Sequence, residues 1–347
     1  MKRTRRAVVI TPDGQVLCQR QPIPKLNDGE VLVKVHATLI SPGTELYVIR
    51  SRREKPAEGG SINFGYSSAG EIVAIRGDCK GLEAGMRVAC MGGGACHADY
   101  NCVPVNLVVP IPDGLGYEEA AFASLAATAL QAVRRTGPQL GEYGMVLGQG
   151  IVGNMAAQLC RLSGARVLAW ESVRLRRAIA ARCGTRDTVD FTKRDAAAAS
   201  REFAAPYGMD FAIMAFGGDA DRAFQSVKDS LKVSADGHRM GRVTVVGGCG
   251  FRFDGGAWSG NIDVRCSSRT GCGYHDDAWE HGRDYPAAFV QFTSRRNACE
   301  LLALMAEGRL KAAPMITHRF KIEDAGEAVE LLMHHPDKAL GVILLME

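Results

Sequence analysis

The sequence lacks any apolar run of about 18 residues, the length that a membrane-spanning helix needs. Its basic N-terminus leads into a short apolar stretch at residues 7–10, which is too short for the hydrophobic core of a secretion signal. These absences argue against a membrane protein and a secreted protein. We therefore expect a cytoplasmic protein with no membrane partner.

Paired cysteines are also absent. The chain has 11 cysteines, but no two of them stand in a Cys-x-x-Cys arrangement. That spacing is typical of zinc sites and of redox motifs, so neither is indicated. Reduced and mostly buried thiols of a cytosolic protein are the expected state.

No strong excess of charge of one sign is present. The formal net charge is only +4 over 347 residues, and the basic residues are scattered among acidic ones, which does not indicate a nucleic-acid partner. The composition is 46% hydrophobic and 23% charged, which is typical of a globular protein. The length predicts two domains.

Short strand-like runs separated by glycine-rich turns occupy the first third of the chain. Residues 31–36 alternate apolar and polar side chains, as a half-buried strand does. The other runs predict a small barrel or sandwich. The predicted strands are residues 7–10, 31–36, 70–75, 87–90 and 106–111.

The pattern changes near residue 117, where helix-like and strand-like runs begin to alternate. Such alternation is typical of a parallel sheet covered by helices. The predicted strands are 144–147, 166–170, 211–215 and 242–246, and the predicted helices are 117–135, 152–163, 174–183, 194–205 and 219–231. Helices at 293–307 and 322–334 and a strand at 341–345 complete the prediction.

A glycine-rich segment, GQGIVG at residues 148–153, follows a predicted strand and opens a predicted helix. In that context it indicates a dinucleotide-binding turn. Gly148 permits the tight turn, Gly150 lets a pyrophosphate approach the backbone, and Gly153 lets the helix pack on the strand. Ile151 and Val152 begin the helix, whose free N–H groups and positive dipole end suit phosphates.

The next predicted strand ends at Glu171, at the spacing of about 20 residues expected for the acid that binds the ribose hydroxyls. This carboxylate favours NAD, because it repels the 2′-phosphate of NADP. Ser172 and Arg174 follow it, with Arg176 and Arg177 beyond, and an arginine here could bind that phosphate. NAD(H) is therefore favoured and NADP(H) remains open.

Several segments together resemble the medium-chain dehydrogenase/reductase superfamily, the alcohol-dehydrogenase-like enzymes. The resemblance rests on residues 65–72 (GYSSAGEI), 81–88 (GLEAGMRV) and 128–131 (TALQ). It implies an α/β fold with a GroES-like β-barrel catalytic domain, residues 1–125 and 272–347, and a Rossmann doubly wound cofactor domain, residues 126–271. It also adds Thr128 and Gly247, after the strand 242–246, to the expected cofactor contacts.

The departures from that family concern zinc. Residues 39–45 (LISPGTE) contain no cysteine, Tyr66 stands where the zinc enzymes have a histidine, and Ser67 stands where they have a glutamate. Cys90, Cys96 and Cys102 are unsuitably spaced for the family's structural zinc lobe. The sequence therefore resembles a zinc-free branch, whose members include dehydrogenases of sugar-like and cyclitol-like alcohols, and no metal is expected.

Without zinc, the substrate oxygen needs hydrogen-bond donors or a general acid. Tyr66, at the position of the family's metal-binding histidine, is one candidate. Thr44 and Glu45 stand where the family places its relay hydroxyl and its acid. His97 is the fourth candidate, because histidines titrate near neutral pH and can relay protons. A purely structural role stays open for each.

A polar and aromatic segment follows the last predicted Rossmann strand, where the superfamily places loops beside its substrate. Tyr274, His275, Asp284 and Tyr285 are the candidate substrate contacts. They suit a polyhydroxylated or amino-bearing substrate, although an ordinary surface loop is the alternative.

Three functions are compatible with these features. The favoured one is an NAD(P)-dependent alcohol dehydrogenase or ketone reductase that acts on a polar small molecule. A quinone or enone reductase of the same superfamily also needs no zinc, and a non-catalytic dinucleotide sensor would keep the same glycine motif. A homodimer is expected, because the superfamily's last Rossmann strand pairs between subunits and residues 261–265 are the candidate edge.

Overall fold

The computed structural model describes residues 4–346 and divides into two compact units. The first runs through Ala127 and resumes at Thr270, and the second is Thr128–Arg269. The expected boundaries, 125/126 and 271/272, each lie two residues away from these. Among the described helices, none is both long and apolar enough to cross a membrane.

The first unit begins with eight strands, and their pairing is antiparallel. The half-buried strand predicted at residues 31–36 is buried more deeply than its alternation indicates, because Leu32 is also buried and only Lys34 is exposed. The strands are β1 (Thr4–Ile10), β2 (Val16–Pro22), β3 (Glu30–Leu39), β4 (Ile62–Asn63), β5 (Ser67–Arg76), β6 (Arg87–Met91), β7 (Tyr100–Pro104) and β8 (Val108–Pro110). The helices are α1 (Thr44–Glu54), α2 (Tyr117–Ala120) and α3 (Ala123–Thr136), and α3 continues into the second unit.

The second unit is a parallel sheet with helices between its strands. Its strands are β9 (Tyr143–Leu147), β10 (Arg166–Trp170), β11 (Thr188–Val189), β12 (Phe211–Met214), β13 (Gly218–Asp219), β14 (Lys232–Val233), β15 (Arg239–Val246), β16 (Cys249–Gly250) and β17 (Asn261–Ser267). Its helices are α4 (Ile151–Leu162), α5 (Arg174–Arg182), α6 (Ala196–Phe203) and α7 (Asp221–Ser230).

The strand order in the main sheet of this unit is β11-β10-β9-β12-β15, with β17 on the far side of β15. All these pairings are parallel, and β14 adds a short antiparallel pairing to β15. Counted along the chain, this is the order 3-2-1-4-5-6 of a doubly wound dinucleotide fold. The carboxyl ends of its strands therefore meet at one edge of the sheet.

The chain then returns to the first unit with α8 (Asp277–Glu280), α9 (Ser294–Ala306), β18 (Ile316–Lys321), α10 (Ala325–His334) and β19 (Gly341–Leu345). β19 pairs with β3 and β18 pairs with β19, so the C-terminal strands join the seven-stranded sheet that contains β3, whereas β1, β2 and β4 form a separate sheet. The core of this sheet contains fully buried apolar side chains from both ends of the chain, such as Val33 and Leu344. The expected two-domain α/β fold is confirmed.

Three predicted elements are wrong in detail. The single helix predicted at 117–135 is broken at residues 121–122, because the Ser67 hydroxyl donates to the Ala121 carbonyl at 2.6 Å and Phe122 is fully buried. The strand predicted at 106–111 begins only at Val108, since Val105–Leu107 form a 3₁₀ turn. That turn buries the Asn106 amide, which donates to the Trp279 carbonyl at 2.6 Å. The predicted helix at 322–334 likewise starts with a 3₁₀ turn, before α10.

Candidate active site and cofactor site

The glycine-rich turn joins β9 to α4 in the second unit. Gly148 has a φ of +84°, which a residue with a side chain rarely adopts. A Cβ at Gly153 would lie 1.9 Å from the Gly148 carbonyl oxygen, so only glycine lets α4 pack this closely on the turn. A Cβ at Gly150, in contrast, would have no atom within 4 Å. The turn is thus tightly closed on the side of the sheet and open beside Gly150.

The open side of the turn coincides with the N-terminus of α4. Gly150 precedes the helix with an extended ψ and no side-chain cap, and Ile151 and Val152 form its first turn. The first N–H groups of a helix have no partners within it and attract anions. These features fit the pyrophosphate of a dinucleotide.

Glu171 follows β10, the neighbour of β9, and lies directly beside this turn. Its carboxylate accepts the backbone N–H of Gln149 at 2.8 Å and that of Val173 at 2.9 Å, and its side chain is 5% exposed. Oε2 accepts the Gln149 N–H and Oε1 accepts the Val173 N–H. Each carboxylate oxygen can accept one further hydrogen bond. The carboxylate is therefore held in place with capacity left for ribose hydroxyls, and its predicted contact with ribose stays a prediction.

The basic residues after Glu171 have different surroundings. Arg177 donates to the carbonyls of Glu171 and Ser172 at 2.7 and 2.6 Å and pairs with Asp190 at 3.0 Å, so it links structural elements. Arg176 lies 3.9 Å from the Glu171 carboxylate, whereas Arg174 is exposed at the start of α5. Arg177 is thus bound to the backbone and to Asp190, and Arg176 is the arginine that the structure places beside the Glu171 carboxylate.

The two remaining cofactor candidates, Gly247 and Thr128, also belong to the second unit. Gly247 directly follows β15, is exposed and has a φ of +121°, so it stands at the carboxyl edge of the sheet. Thr128 is half-buried within α3. Their contacts with a cofactor stay predictions.

In the first unit, the hydroxyl groups of Ser41 and Thr44 lie beside the Tyr66 hydroxyl. The Tyr66 hydroxyl donates to Ser41 Oγ at 2.6 Å. Burial raises the pKa of Tyr66, and the nearby Glu45 carboxylate raises it further, whereas hydrogen bonds with Ser41 and Thr44 lower it in part. Ser41 is buried and Thr44 is exposed. Tyr66 therefore keeps its proton at neutral pH. Its hydroxyl lies between the buried hydroxyl of Ser41 and the exposed hydroxyl of Thr44.

Glu45 and His97 form a buried pair behind this cluster. His97 Nε2 lies 3.1 Å from Glu45 Oε2, and the side chains are 0% and 4% exposed. His97 Nδ1 lies 2.7 Å from Thr38 Oγ1, so both ring nitrogens have partners. The other oxygen, Glu45 Oε1, is buried and has no hydrogen-bond partner among the described residues. One carboxylate oxygen is thus fixed and the other is available.

The position of His97 depends on a glycine next to Tyr66. Gly65 has a φ of +100°, and a Cβ there would lie 2.7 Å from the His97 ring. The backbone N–H of His97 also donates to the Phe64 carbonyl at 2.7 Å. The segment that carries Tyr66 therefore packs directly against His97, and all four predicted catalytic residues lie in one cluster.

The four predicted substrate residues are not equally available. The Tyr285 hydroxyl donates to Asp276 at 2.5 Å, and this bond raises the pKa of Tyr285 to about 12. Asp284 pairs with Lys80 at 2.7 Å, and that bond lowers the pKa of Asp284. Both side chains are bound within the first unit, and their contact with substrate stays a prediction.

Tyr274 and His275 are adjacent candidates, and Tyr274 also packs beside Gly92. Their rings contact each other edge to face at 4.4 Å. A Cβ built on Gly92 would lie 3.6 Å from Tyr274, and the Gly92 N–H donates to the Tyr66 carbonyl at 3.0 Å. Tyr274 therefore lies beside Gly92, whose backbone is bonded to the Tyr66 segment.

Comparison with known proteins identifies the family. Residues 27–128 match the model of the alcohol dehydrogenase GroES-like domain. Sorbitol dehydrogenase of Bacillus subtilis is 28% identical over 70% of this chain and 74% of its own length. L-threonine 3-dehydrogenase of Rhizobium rhizogenes is 24% identical over 92% of this chain and 93% of its own length. The chain belongs to the medium-chain dehydrogenase/reductase superfamily.

Solved structures support the same fold. A crystal structure of an Escherichia coli oxidoreductase/dehydrogenase of unknown specificity, involved in membrane biogenesis, has a TM-score of 0.81 with 18% identity, and 99% of each chain is covered. The family match and the curated dehydrogenase relatives confirm the expected superfamily and its enzyme class, an NAD(P)-dependent alcohol dehydrogenase.

The side chains at the superfamily's catalytic zinc position do not fit a zinc ion. Ser41 and Tyr66 offer neutral hydroxyl groups, and the imidazole of His97 has both nitrogens engaged. The Glu45 carboxylate is a single potential ligand, whereas a catalytic zinc needs three. Protein zinc sites use cysteine thiolates, neutral histidines and carboxylates. No group of three or more such side chains that could hold a metal occurs within residues 4–346.

Two residues of the cluster around Tyr66, Ser41 and Thr38, were not predicted from the sequence. Ser41 was visible only as part of a segment without cysteine, and Thr38 lies inside β3, where a buried threonine has no special pattern. Their contacts join residues 25 and 59 positions apart. No local motif predicts such pairings.

Proposed function

We propose that this protein is a zinc-independent NAD(P)-dependent oxidoreductase that transfers hydride between nicotinamide and the secondary alcohol or ketone of a polar, sugar-like or cyclitol-like substrate. The observation that carries the proposal is the Tyr66 hydroxyl, which stands at the superfamily's metal-ligand position and donates to Ser41 at 2.6 Å. A phenol with a raised pKa stays protonated at neutral pH and can therefore donate a hydrogen bond to the substrate oxygen.

The second unit binds the dinucleotide through the glycine-rich turn. Gly150 leaves room for the pyrophosphate, and the first N–H groups of α4 stabilise its charge. When bound, the nicotinamide supplies or accepts the hydride. We propose NAD(H) as the preferred cofactor, because the Glu171 carboxylate, 5% exposed and fixed by two backbone N–H groups, disfavours a 2′-phosphate.

The first unit handles the proton. In the reduction direction, Tyr66 donates a hydrogen bond and then its proton to the substrate oxygen, on which negative charge develops. Ser41 and the exposed Thr44 lie within hydrogen-bonding reach of the same hydroxyl and can return a proton from solvent. Glu45 Oε1, buried and unpartnered among the described residues, is placed to accept a hydrogen bond from a second hydroxyl of the substrate.

A polar substrate follows from this arrangement. A buried acceptor without a partner costs about 1–3 kcal/mol, and a substrate hydroxyl or ammonium group would remove that cost. Tyr274 provides an aromatic hydroxyl near the Tyr66 segment. These groups favour a polyol over a simple apolar alcohol. The substrates of the curated relatives, sorbitol and L-threonine by name, carry several polar groups as well.

We also propose a homodimer. Among the described residues β17 pairs only with β15, over seven residues, and Asn261, Asp263 and Cys266 of β17 are exposed. An edge of this length presents unpaired backbone groups to a second strand. A dimeric mass by light scattering at micromolar concentration is expected, and a monomeric mass would contradict the pairing.

A substrate panel tests the proposed activity. Purified protein is assayed at the nicotinamide absorbance with NADH and NADPH against polyols, their ketones, simple secondary alcohols, enones and quinones. We expect turnover of polyols or polyhydroxy ketones, at least about tenfold above simple alcohols. Turnover confined to enones or quinones would replace the proposal by reductase activity, and no turnover despite NADH binding would favour a sensor.

A further inference from the structure

The second unit contains a cavity away from the glycine-rich turn. Its volume is about 330 Å³, within the range of small-molecule sites. It lies between α7 and the segment 252–259, which connects β16 to β17. The lining residues are Asp221, Phe224, Gln225, Lys228, Arg239, Arg252, Asp254, Trp258 and Ser259. None of them belongs to the cofactor or catalytic candidates.

The cavity has an aromatic floor that is part of the core. Phe224 is 2% exposed, its ring stacks on Phe251 at 4.0 Å and meets Phe253 edge to face at 5.6 Å. These contacts fix the connecting segment on α7. The floor is therefore formed by packed side chains rather than by a loose loop.

Trp258 forms a wall of the cavity and is unusually exposed. Its side chain is 84% exposed, whereas the other two tryptophans, Trp170 and Trp279, are 3% and 2% exposed. A Cβ at Gly256 would lie 2.3 Å from the Trp258 ring, so the ring rests directly on the Gly256 backbone. One side of the indole is thus supported and the rest is available for stacking.

Two cations that line the cavity have no ion-pair partner among the described residues. Lys228 lies 5.6 Å from the Phe224 ring centre, and neither Lys228 nor Arg252 forms an ion pair within the described part of the chain. Arg239 is compensated by Asp229 at 3.0 Å. Asp221 accepts the backbone N–H of Arg252 and lies in the first turn of α7, where the helix dipole stabilises an acid. Lys228 and Arg252 are therefore the two cations beside the cavity that can pair with an acidic ligand group, and they face the acids Asp221 and Asp254.

We infer that this cavity is a second ligand site that binds a small planar aromatic anion. The ring stacks on Trp258 above the Phe224 floor, and the acidic group pairs with Lys228 and Arg252. The inference does not depend on the proposed catalytic function, because no residue is shared.

Tryptophan fluorescence tests this site directly, because Trp258 is the exposed one of three. Phenyl phosphate is the probe, with phenol and inorganic phosphate as its two halves. Phenyl phosphate should protect the emission from acrylamide quenching and shift it to the blue, with an affinity at least about tenfold above either half. Equal binding of phenol or of inorganic phosphate would overturn the inference.

Three variants assign the effect to the cavity. Gly256→Ala should displace the indole and weaken the affinity at least about fivefold while all tryptophans remain, and Arg252→Gln should weaken it similarly. Arg222→Gln is the matched control, because Arg222 is exposed on α7 outside the cavity. NADH affinity should stay unchanged in all three. Unaltered phenyl phosphate affinity in Gly256→Ala and Arg252→Gln would contradict the site.

A second copy of the chain is the competing occupant, because the segment 252–259 leads into the edge strand β17. Under that alternative, the Trp258 emission is already shielded in ligand-free protein and becomes quenchable only on dilution to the monomer. That result would overturn the ligand site. Quenchable Trp258 emission at concentrations where the protein is oligomeric, together with protection by phenyl phosphate, would support it.

Discussion

The two candidate sites of this protein are built in opposite ways. The cofactor turn is made of backbone, and its parts are contiguous in sequence from Gly148 to Gly153. The proton-transfer cluster is made of side chains from separate segments, with Tyr66, Glu45 and His97 brought together only by the folded first unit. A site of the first kind can be recognised from spacing, whereas a site of the second kind depends on tertiary contacts.

The largest expected effect concerns the buried pair in the proton-transfer cluster. His97→Leu leaves the Glu45 carboxylate buried without its imidazole partner. Breaking a buried pair in this way costs about 3–5 kcal/mol of unfolding free energy. Urea unfolding measures it, and His335→Leu, at an exposed histidine, is the control.

The double variant His97→Leu, Glu45→Met completes this test. It removes the buried charge as well, so much of the lost stability should return. A loss of less than about 1 kcal/mol in the single variant would show that the pair does not hold the cluster together.

Tyr66→Phe is expected to have the next largest effect. It deletes one oxygen and little volume, and the loss of a positioned proton donor lowers kcat by at least about 10²-fold. Steady-state kinetics measure it, and NADH affinity should be preserved because the turn at Gly150 is unchanged. Tyr207→Phe, at an exposed tyrosine, is the control. A kcat within a few fold of wild type, with stability intact, would return Tyr66 to a packing role.

The pH dependence sharpens the same assignment. Burial and the Glu45 carboxylate raise the pKa of Tyr66, so the proton donor persists through neutral pH. The rate of carbonyl reduction should therefore lose its Tyr66-dependent part only above about pH 10, the ordinary value for a tyrosine. The high-pH decline should be absent from the residual activity of Tyr66→Phe.

Gly150→Ala tests the backbone site. Its φ of −63° is accessible to alanine and its Cβ would meet nothing within 4 Å, so folding should be unaffected. The added methyl group occupies the space that the pyrophosphate needs, and NADH affinity should fall about tenfold or more, roughly 1.4 kcal/mol. Fluorescence titration measures it, with Gly60→Ala as a control that also meets nothing. Equal affinity in both variants would remove the pyrophosphate from this turn.

Glu171→Ala should have an effect of about the same size as Gly150→Ala. The loss of hydrogen bonds to a charged acceptor weakens NADH binding by about 1–2 kcal/mol. The preference for NADH over NADPH should narrow in the same titrations. Arg174→Ala serves for comparison, because Arg174 is exposed and makes no contact with the carboxylate. If wild-type protein prefers NADPH tenfold, the arginines after Glu171 determine the cofactor.

The sequence alone predicted the doubly wound sheet and its glycine turn because both follow from local patterns. Apolar strands alternate with helices, and the glycines stand at fixed positions between β9 and α4. The superfamily resemblance also placed Tyr66 and Glu45 at the catalytic position. The features that the sequence could not predict depend on contacts between distant residues. One example is the end of α2, where the Ser67 hydroxyl donates a hydrogen bond to the Ala121 carbonyl.

The same limit applies to the substrate loop. Asp284 and Tyr285 looked available in the sequence, but Lys80 and Asp276 already bind them. The Lys80 contact spans about two hundred positions of chain, which no spacing rule covers. The cavity beside Trp258 could not be predicted from the sequence either, because the sequence does not show which tryptophans are exposed and which are buried.

The central claim is that hydroxyl groups, rather than zinc, polarise the substrate oxygen. The most direct test measures zinc per chain and turnover of the same preparation before and after treatment with a strong chelator. The account predicts far less than one zinc per chain and unchanged kcat. Stoichiometric zinc whose removal abolishes turnover, and whose return restores it, would contradict the account.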